Sequence, residues 1–184
     1  MYKVEVEIEG VSPMKQNRIT ELTMRSLTGK GKKITPDELE ADWENKAYKD
    51  KKGFFIPGNQ FQGALNVGMC VPLPIKSNRV KMTRQKAKGT IFVQNNGYMF
   101  NGGSKIKFDR DDNAFNTKLG DLIVQSRPIF KEGWKAKFEL FIAQDWLTIE
   151  ALKDGIEQSG QCHGVGSWRP RFGRYIVKSI KKDK

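Results

Sequence analysis

The sequence has few of the residues that most often carry chemistry: one histidine and two cysteines among 184 residues. Cys70 and Cys162 lie far apart and lack the paired spacing of a disulfide framework or a zinc site, so both are expected to be reduced. Long hydrophobic runs are also missing. Phe54-Phe55-Ile56 and Leu122-Ile123-Val124 fall well short of the ~20 apolar residues that cross a bilayer. The opening residues Tyr2, Lys3 and Val4 alternate straight into a strand, so no signal peptide is expected and the cytoplasm is the expected compartment. No Walker loop, nucleophile elbow or pair of catalytic carboxylates is recognisable. The run Asp109-Arg110-Asp111-Asp112-Asn113 lacks the glycine and terminal glutamate of a calcium loop and reads as an acidic turn. Neither a metal nor another cofactor is expected, and an enzyme has little to start from.

What the chain has instead is positive charge. Lys and Arg number 33 against 21 Asp and Glu, a formal net charge of +12, with a pI near 9.7. That exceeds what solubility needs. Clustered Lys and Arg neutralise phosphates and release counterions, the sequence-independent part of nucleic-acid binding. The rival source of such charge is a solvated basic surface, or one that docks an acidic protein. Hydrophobic residues make up 38% of the chain, enough for one ordinary core, and the length fits a single domain over residues 1–184.

Periodicity supplies the elements. Tyr2, Val4, Val6 and Ile8 alternate with Lys3, Glu5, Glu7 and Glu9, the pattern of a half-buried strand. Thr35-Pro36-Asp37-Glu38 predicts a capped helix running to about Asn45. Phe61, Ala64, Leu65 and Gly68 predict another, with Asn59 as its cap. Residues 90–93 and 97–100 read as a short hairpin around Asn95-Asn96-Gly97. Residues 121–130 and 134–143 read as a second hairpin joined by Lys131-Glu132-Gly133. Leu147 to Gln158 reads as a helix that Gly160 ends, and Gly173 to Ile180 as a closing strand. The order is strand, helix, strand hairpin, helix, strand. It predicts an α+β, ferredoxin-like β-α-β-β-α-β sheet with two helices on one face, as in RNA-recognition domains. Two insertions, at about 15–52 and 71–118, flank the first core helix.

Two segments carry a family likeness. Phe55-Ile56-Pro57-Gly58-Asn59-Gln60-Phe61-Gln62-Gly63-Ala64-Leu65 resembles the "IPGSS-(hydrophobic)-(basic)-G-A-L" signature of the RAMP superfamily, the CRISPR-associated RNA-binding proteins. Gly164-Val165-Gly166 with Arg171-Phe172-Gly173-Arg174 is similar to that superfamily's glycine-rich loop and closing strand, and the first strand ending near Ser12-Pro13 resembles its opening strand. The resemblance implies a ferredoxin-like unit that tracks single-stranded RNA along its backbone. It points to a small backbone subunit of a CRISPR effector complex, in antiviral defence. Asn59 and Gln60 stand where the family commonly has small hydroxyl residues. Gln62 and Asn66 stand where it commonly has basic ones.

Candidate contacts follow from local chemistry. Gly58, Asn59, Gln60 and Gln62 surround a helix start, where unpaired N–H groups and the helix dipole attract a phosphate; the same Pro-Gly sequence also serves simply to turn the chain into a helix. Trp168-Arg169-Pro170-Arg171-Phe172-Gly173-Arg174-Tyr175 interleaves rings with guanidinium groups, as single-strand platforms do. In a closing strand alternate positions face inward, so one or two of these rings belong to the core. Lys81, Arg84 and Lys86 belong to a basic arm, and Lys15 and Arg18 are expected near the same end of the sheet. His163 lies in the glycine-rich loop beside the arginines, as a base-stacking or positioning group, or as a general acid or base.

The leading expectation is a non-enzymatic protein that binds single-stranded RNA or DNA, alone or with copies of itself or other subunits of a ribonucleoprotein, away from any membrane. The alternatives are an endoribonuclease using His163 and a protein-interaction module that mimics a CRISPR subunit.

Overall fold

A computed structural model describes residues 1–29, 34–68, 84–102, 105–116 and 122–183. The chain opens with β1 (Tyr2–Gly10) and the short β2 (Met14–Lys15), followed by helices α1 (Glu21–Thr28) and α2 (Pro36–Ala41). The capping box at Thr35 forms as predicted: Glu38 N–H donates to the Thr35 hydroxyl, and the Glu38 carboxylate accepts from Thr35 N–H. That helix ends early and gives way to a 3-10 turn, Glu44–Lys46. Next come β3 (Lys49–Asp50), β4 (Gly53–Ile56), α3 (Gly58–Gly68), α4 (Arg84–Thr90), β5 (Ile91–Val93), β6 (Gly97–Phe100), β7 (Asp109–Asn116) and β8 (Leu122–Phe130). The last elements are β9 (Lys135–Ile142), α5 (Ile149–Cys162) and β10 (Tyr175–Lys182).

Seven strands form one antiparallel sheet in the order β10-β1-β9-β6-β4-β3, with β5 also pairing to β9. Helices α3 and α5 pack on one face of it. Val4, Val6 and Ile8 of β1 meet Phe138, Leu140 and Ile142 of β9 there, beneath Phe61, Ala64, Leu65, Leu152 and Ile156. The Phe61 and Phe138 rings stack with centroids 4.0 Å apart. Burial of each such side chain contributes about 1.5–3 kcal/mol, and the clean alternation of β1 is its sequence trace. The fold is α+β.

A second sheet, β2-β8-β7, lies outside this layer. It overturns the expected hairpin of residues 121–143. Both strands exist, but β8 pairs with β7 from Asp109↔Ile129 to Asn116↔Leu122, while β9 pairs with β1 on one side and with β5 and β6 on the other. With both edges of β9 occupied, β8 has no place beside it. For the same reason β5 and β6 are not a hairpin with each other: they follow one another along a single edge of β9. The acidic run at Asp109 is likewise a strand and not a turn. Residues 84–100 and 109–116, read as parts of an insertion, supply three strands of the two sheets.

Gly160 does not end α5, which continues to Cys162. A Cβ there would lie 2.1 Å from the Tyr175 carbonyl oxygen and 2.6 Å from its ring, so the glycine lets the helix sit directly on β10. Asn59 does not cap α3 either, because it lies inside the helix; the Pro57 carbonyl accepts from Gln60 and Phe61 N–H.

Candidate nucleic-acid interface

The segment between α5 and β10 is a loop fastened by its own backbone. Val165 N–H donates to Gly173 O at 2.9 Å, closing it on itself. Ser167 N–H donates to Lys15 O at 2.8 Å, Gly173 N–H to Pro13 O at 2.8 Å, and Arg174 N–H to the Ser12 hydroxyl at 2.9 Å. The loop is thereby laid across the turn that follows β1. Gly166 has φ +81°, and a Cβ there would meet Lys15 O at 2.4 Å; an L side chain would be strained on both counts.

Two rings of this loop face inward. The Lys15 ammonium lies 4.0 Å from the Phe172 ring centroid and 4.6 Å from that of Trp168, and pairs with the Asp111 carboxylate of β7. Lys15 is only 1% exposed. Expected near the end of the sheet as a nucleic-acid contact, it is instead a buried cation that ties the loop to the second sheet. Arg127 of β8, 7% exposed, places its guanidinium 5.1 Å from the Trp168 centroid on a neighbouring position and donates to Gln125. Burial lowers its pKa from the usual arginine value. The sequence reading passed over Arg127, although a single arginine within Leu122-Ile123-Val124-Gln125-Ser126-Arg127 was a visible signal. Trp168 itself is 38% exposed and so offers one side to solvent.

The outward side of the loop is basic. Arg169, Arg171 and Arg174 are exposed, and the Arg171 guanidinium lies 5.7 Å from the Phe172 centroid. Arg169 Nη1 donates to His163 Nε2 at 2.9 Å. An acceptor Nε2 means a neutral ring with its proton on Nδ1. Burial and then the Arg169 charge both lower the His163 pKa. The lone pair that a general base would use is already occupied. The arrangement can hold a phosphodiester backbone on arginines carried by a fastened backbone, with a ring alongside.

The other candidates lie elsewhere. Gly58 N–H donates to Asn96 Oδ1 at 3.0 Å, which removes one of the helix-start donors. Gln62 is wholly engaged: its Nε2 donates to Ile91 O at 3.0 Å and Asn66 Oδ1 at 3.1 Å, and its Oε1 accepts from Val93 N–H at 2.9 Å. It fastens β5 to α3 and does not face a ligand. Asn59 is exposed and Gln60 half-buried. Arg18 is exposed, with its N–H on Lys46 O, and lines a cavity together with Glu21, Asp42, Glu44 and Asp50. Lys49 and Lys51 line the same cavity, so its charge is mixed. Lys86 is exposed on α4, where Arg84 begins the helix; Lys81 lies outside the described residues. Among the described residues no group of three or more His, Cys, Asp or Glu could hold a metal, and no helix is long and apolar enough to cross a membrane.

No family model and no curated protein matches the sequence. Among solved structures, the crystal structure of Cmr6 from Pyrococcus furiosus superposes over 97% of this chain and 98% of its own, with a TM-score of 0.53 and 10% identity. The two chains share a fold. Within it, the Ser12-Pro13 turn, the glycine-rich loop and the start of β10 form one hydrogen-bonded unit, so two of the segments that carried the sequence likeness are joined in space.

Proposed function

We propose that this chain is a non-enzymatic, single-strand nucleic-acid-binding subunit of a CRISPR-type ribonucleoprotein, with RNA as its ligand. The observation that carries the reading is the C-terminal loop: three exposed arginines on a backbone held by the four hydrogen bonds described above, with Trp168 half open beside them. Arginines on a fastened backbone lose less entropy on meeting phosphates than those of a mobile basic tail would. The likeness to Cmr6 supports placement in such a complex. The strand order β10-β1-β9-β6 with α3 and α5 on one face supports a β-α-β-β-α-β unit in which β5 and β6 together take the second strand's place. The test is binding of labelled single-stranded RNA, single-stranded DNA and duplex by wild type and by the Arg169→Ala/Arg171→Ala/Arg174→Ala variant. Single-strand preference that the variant loses supports the reading; equal binding by both proteins contradicts it.

A ribonuclease reading finds less support, because Arg169 already occupies His163 Nε2. Labelled RNA should stay intact with wild type and with His163→Ala alike.

One observation favours an assembly role alongside binding. Helix α1 buries none of its residues and leaves Met24 48% and Leu27 73% exposed, next to an exposed Ile19. Exposed apolar side chains grouped in this way suit a neighbouring subunit. Sedimentation velocity over a concentration series should show self-association that Met24→Ser/Leu27→Ser weakens.

A further inference from the structure

The face of the main sheet turned away from α3 and α5 has a composition of its own. On β1 it presents Glu5, Glu7 and Glu9, which are offset by lysines: Lys137 within 3.6 Å of Glu5 and 3.7 Å of Glu7, and Lys178 within 3.0 Å of Glu9. Beyond β9 the acids give way to rings. Phe55 of β4 stands opposite Tyr98 of β6, with centroids 5.8 Å apart, and Phe100 lies two residues further along. Tyr98 and Phe100 share this face because strand side chains alternate; Met99 between them points to the core. All three rings are half-buried.

The rings are held in place and carry cations. The Tyr98 hydroxyl donates to Asp50 Oδ2 at 2.6 Å, and Asp50 also accepts from Lys52 and Gly53 N–H. Lys52 Nζ lies 5.6 Å from the Tyr98 centroid, and Lys137 Nζ 5.5 Å from that of Phe100. At Phe100 the face runs into a cleft of about 400 Å³ between β6, residues 105–107 and the β8–β9 turn. Lys105 and Lys107 line this cleft with Glu132; Lys131 lines it too but is paired with Asp109 at 3.3 Å.

We infer that this face is a second contact surface for single-stranded nucleic acid, with bases stacked on Tyr98 and Phe100 and the phosphate backbone led into the lysine-lined cleft. The inference rests on the single-strand reading above but uses none of the residues of the C-terminal loop. Two arguments decide the occupant. Rings two residues apart on one strand stand about 6.6 Å apart, a spacing that lets successive splayed bases each find a ring. Lys105 and Lys107, continuous with those rings, match the alternation of base and phosphate along a strand; an apolar protein partner would not call for them.

The test uses the full chain and a single-stranded RNA carrying 4-thiouridine. Irradiation should cross-link it to the peptide spanning residues 97–107, in addition to the loop. Tyr98→Ala/Phe100→Ala should lower affinity by about tenfold per ring while leaving the salt dependence unchanged. Lys105→Glu/Lys107→Glu, both at exposed positions, should flatten the slope of log K against log[salt] by about 1.4. Near-UV circular dichroism verifies folding of the ring variant, and the cross-link map does not depend on it. If wild type binds RNA but these variants bind equally well and cross-links map only to the loop, the second surface is overturned while the single-strand reading stands. If the face variants lose affinity and the loop arginine variant does not, the face stands and the loop assignment falls. Failure of wild type to bind any single strand overturns both.

Discussion

Gly160 and Gly63 both occupy helix interiors, yet a methyl group would have opposite effects at the two. At Gly160 the added carbon would lie 2.1 Å from the Tyr175 backbone, whereas at Gly63 nothing lies within 4 Å. Gly160→Ala should therefore cost about 1–3 kcal/mol through overpacking, and Gly63→Ala should add about 0.5–1 kcal/mol by easing the entropic cost of the helix. Urea denaturation of the two variants checks both signs. Lys15 is the other residue whose role is fixed by its surroundings. Lys15→Met would leave the Asp111 carboxylate without its buried partner, a loss of about 3 kcal/mol, and Trp168 and Phe172 would lose the cation they enclose. His163 adds a pH dependence of known sign. Its folded pKa lies below the ordinary 6.5, so the unfolded chain takes up this proton first as the solution is acidified. The contribution is present above about pH 6.5 and is lost as pH falls toward the folded pKa. Stability measured at pH 7.5 and 5.5 should drop in wild type, and the drop should shrink in His163→Gln.

At the level of elements, the strands and helices of the main layer were legible, α1, α4 and β7 were not, and the strands' partners were not. The alternation from Tyr2 to Glu9 and from Trp134 to Ile142 states which side of each strand is buried, because burial leaves a period of two in the sequence. It does not state which edge meets which neighbour. Backbone hydrogen bonds carry no side-chain signature, so a turn such as Lys131-Glu132-Gly133 looks the same whether it joins two strands of one sheet or carries the chain between two sheets. Gly160 misled for a related reason. A glycine that stops a helix and a glycine that lets a helix touch a strand are identical in sequence, and only Tyr175 decides between them. Of the candidate site, the arginine-aromatic run was legible because its residue types are unusual together. The structural roles of Lys15 and Gln62 were hidden, since their partners Asp111, Ile91 and Val93 are remote in sequence. Gln62 supplies a test at this scale. Gln62→Leu strips a partner from Val93 N–H and Ile91 O at the edge where β5 meets α3. It should cost about 1–3 kcal/mol, and hydrogen exchange should show the Val93 amide losing protection ahead of the β1–β9 ladder.

For the molecule as a whole, the net charge of +12 is not spread evenly in its consequences. Lys15, Lys46 and Arg127 are buried and bonded within the fold. Lys135, Lys137 and Lys178 are engaged by Glu5, Glu7 and Glu9. The arginines of the C-terminal loop stay exposed, on a fold like that of Cmr6, and the account assigns the ligand to them. The most direct test is fluorescence anisotropy of a labelled single-stranded RNA across a salt series, with wild type and the Arg169→Ala/Arg171→Ala/Arg174→Ala variant side by side. The account predicts tight, steeply salt-dependent binding by wild type, and a slope of log K against log[salt] smaller by about 2 in the variant, at roughly 0.7 per lost phosphate contact. Identical slopes and affinities for the two proteins would contradict it.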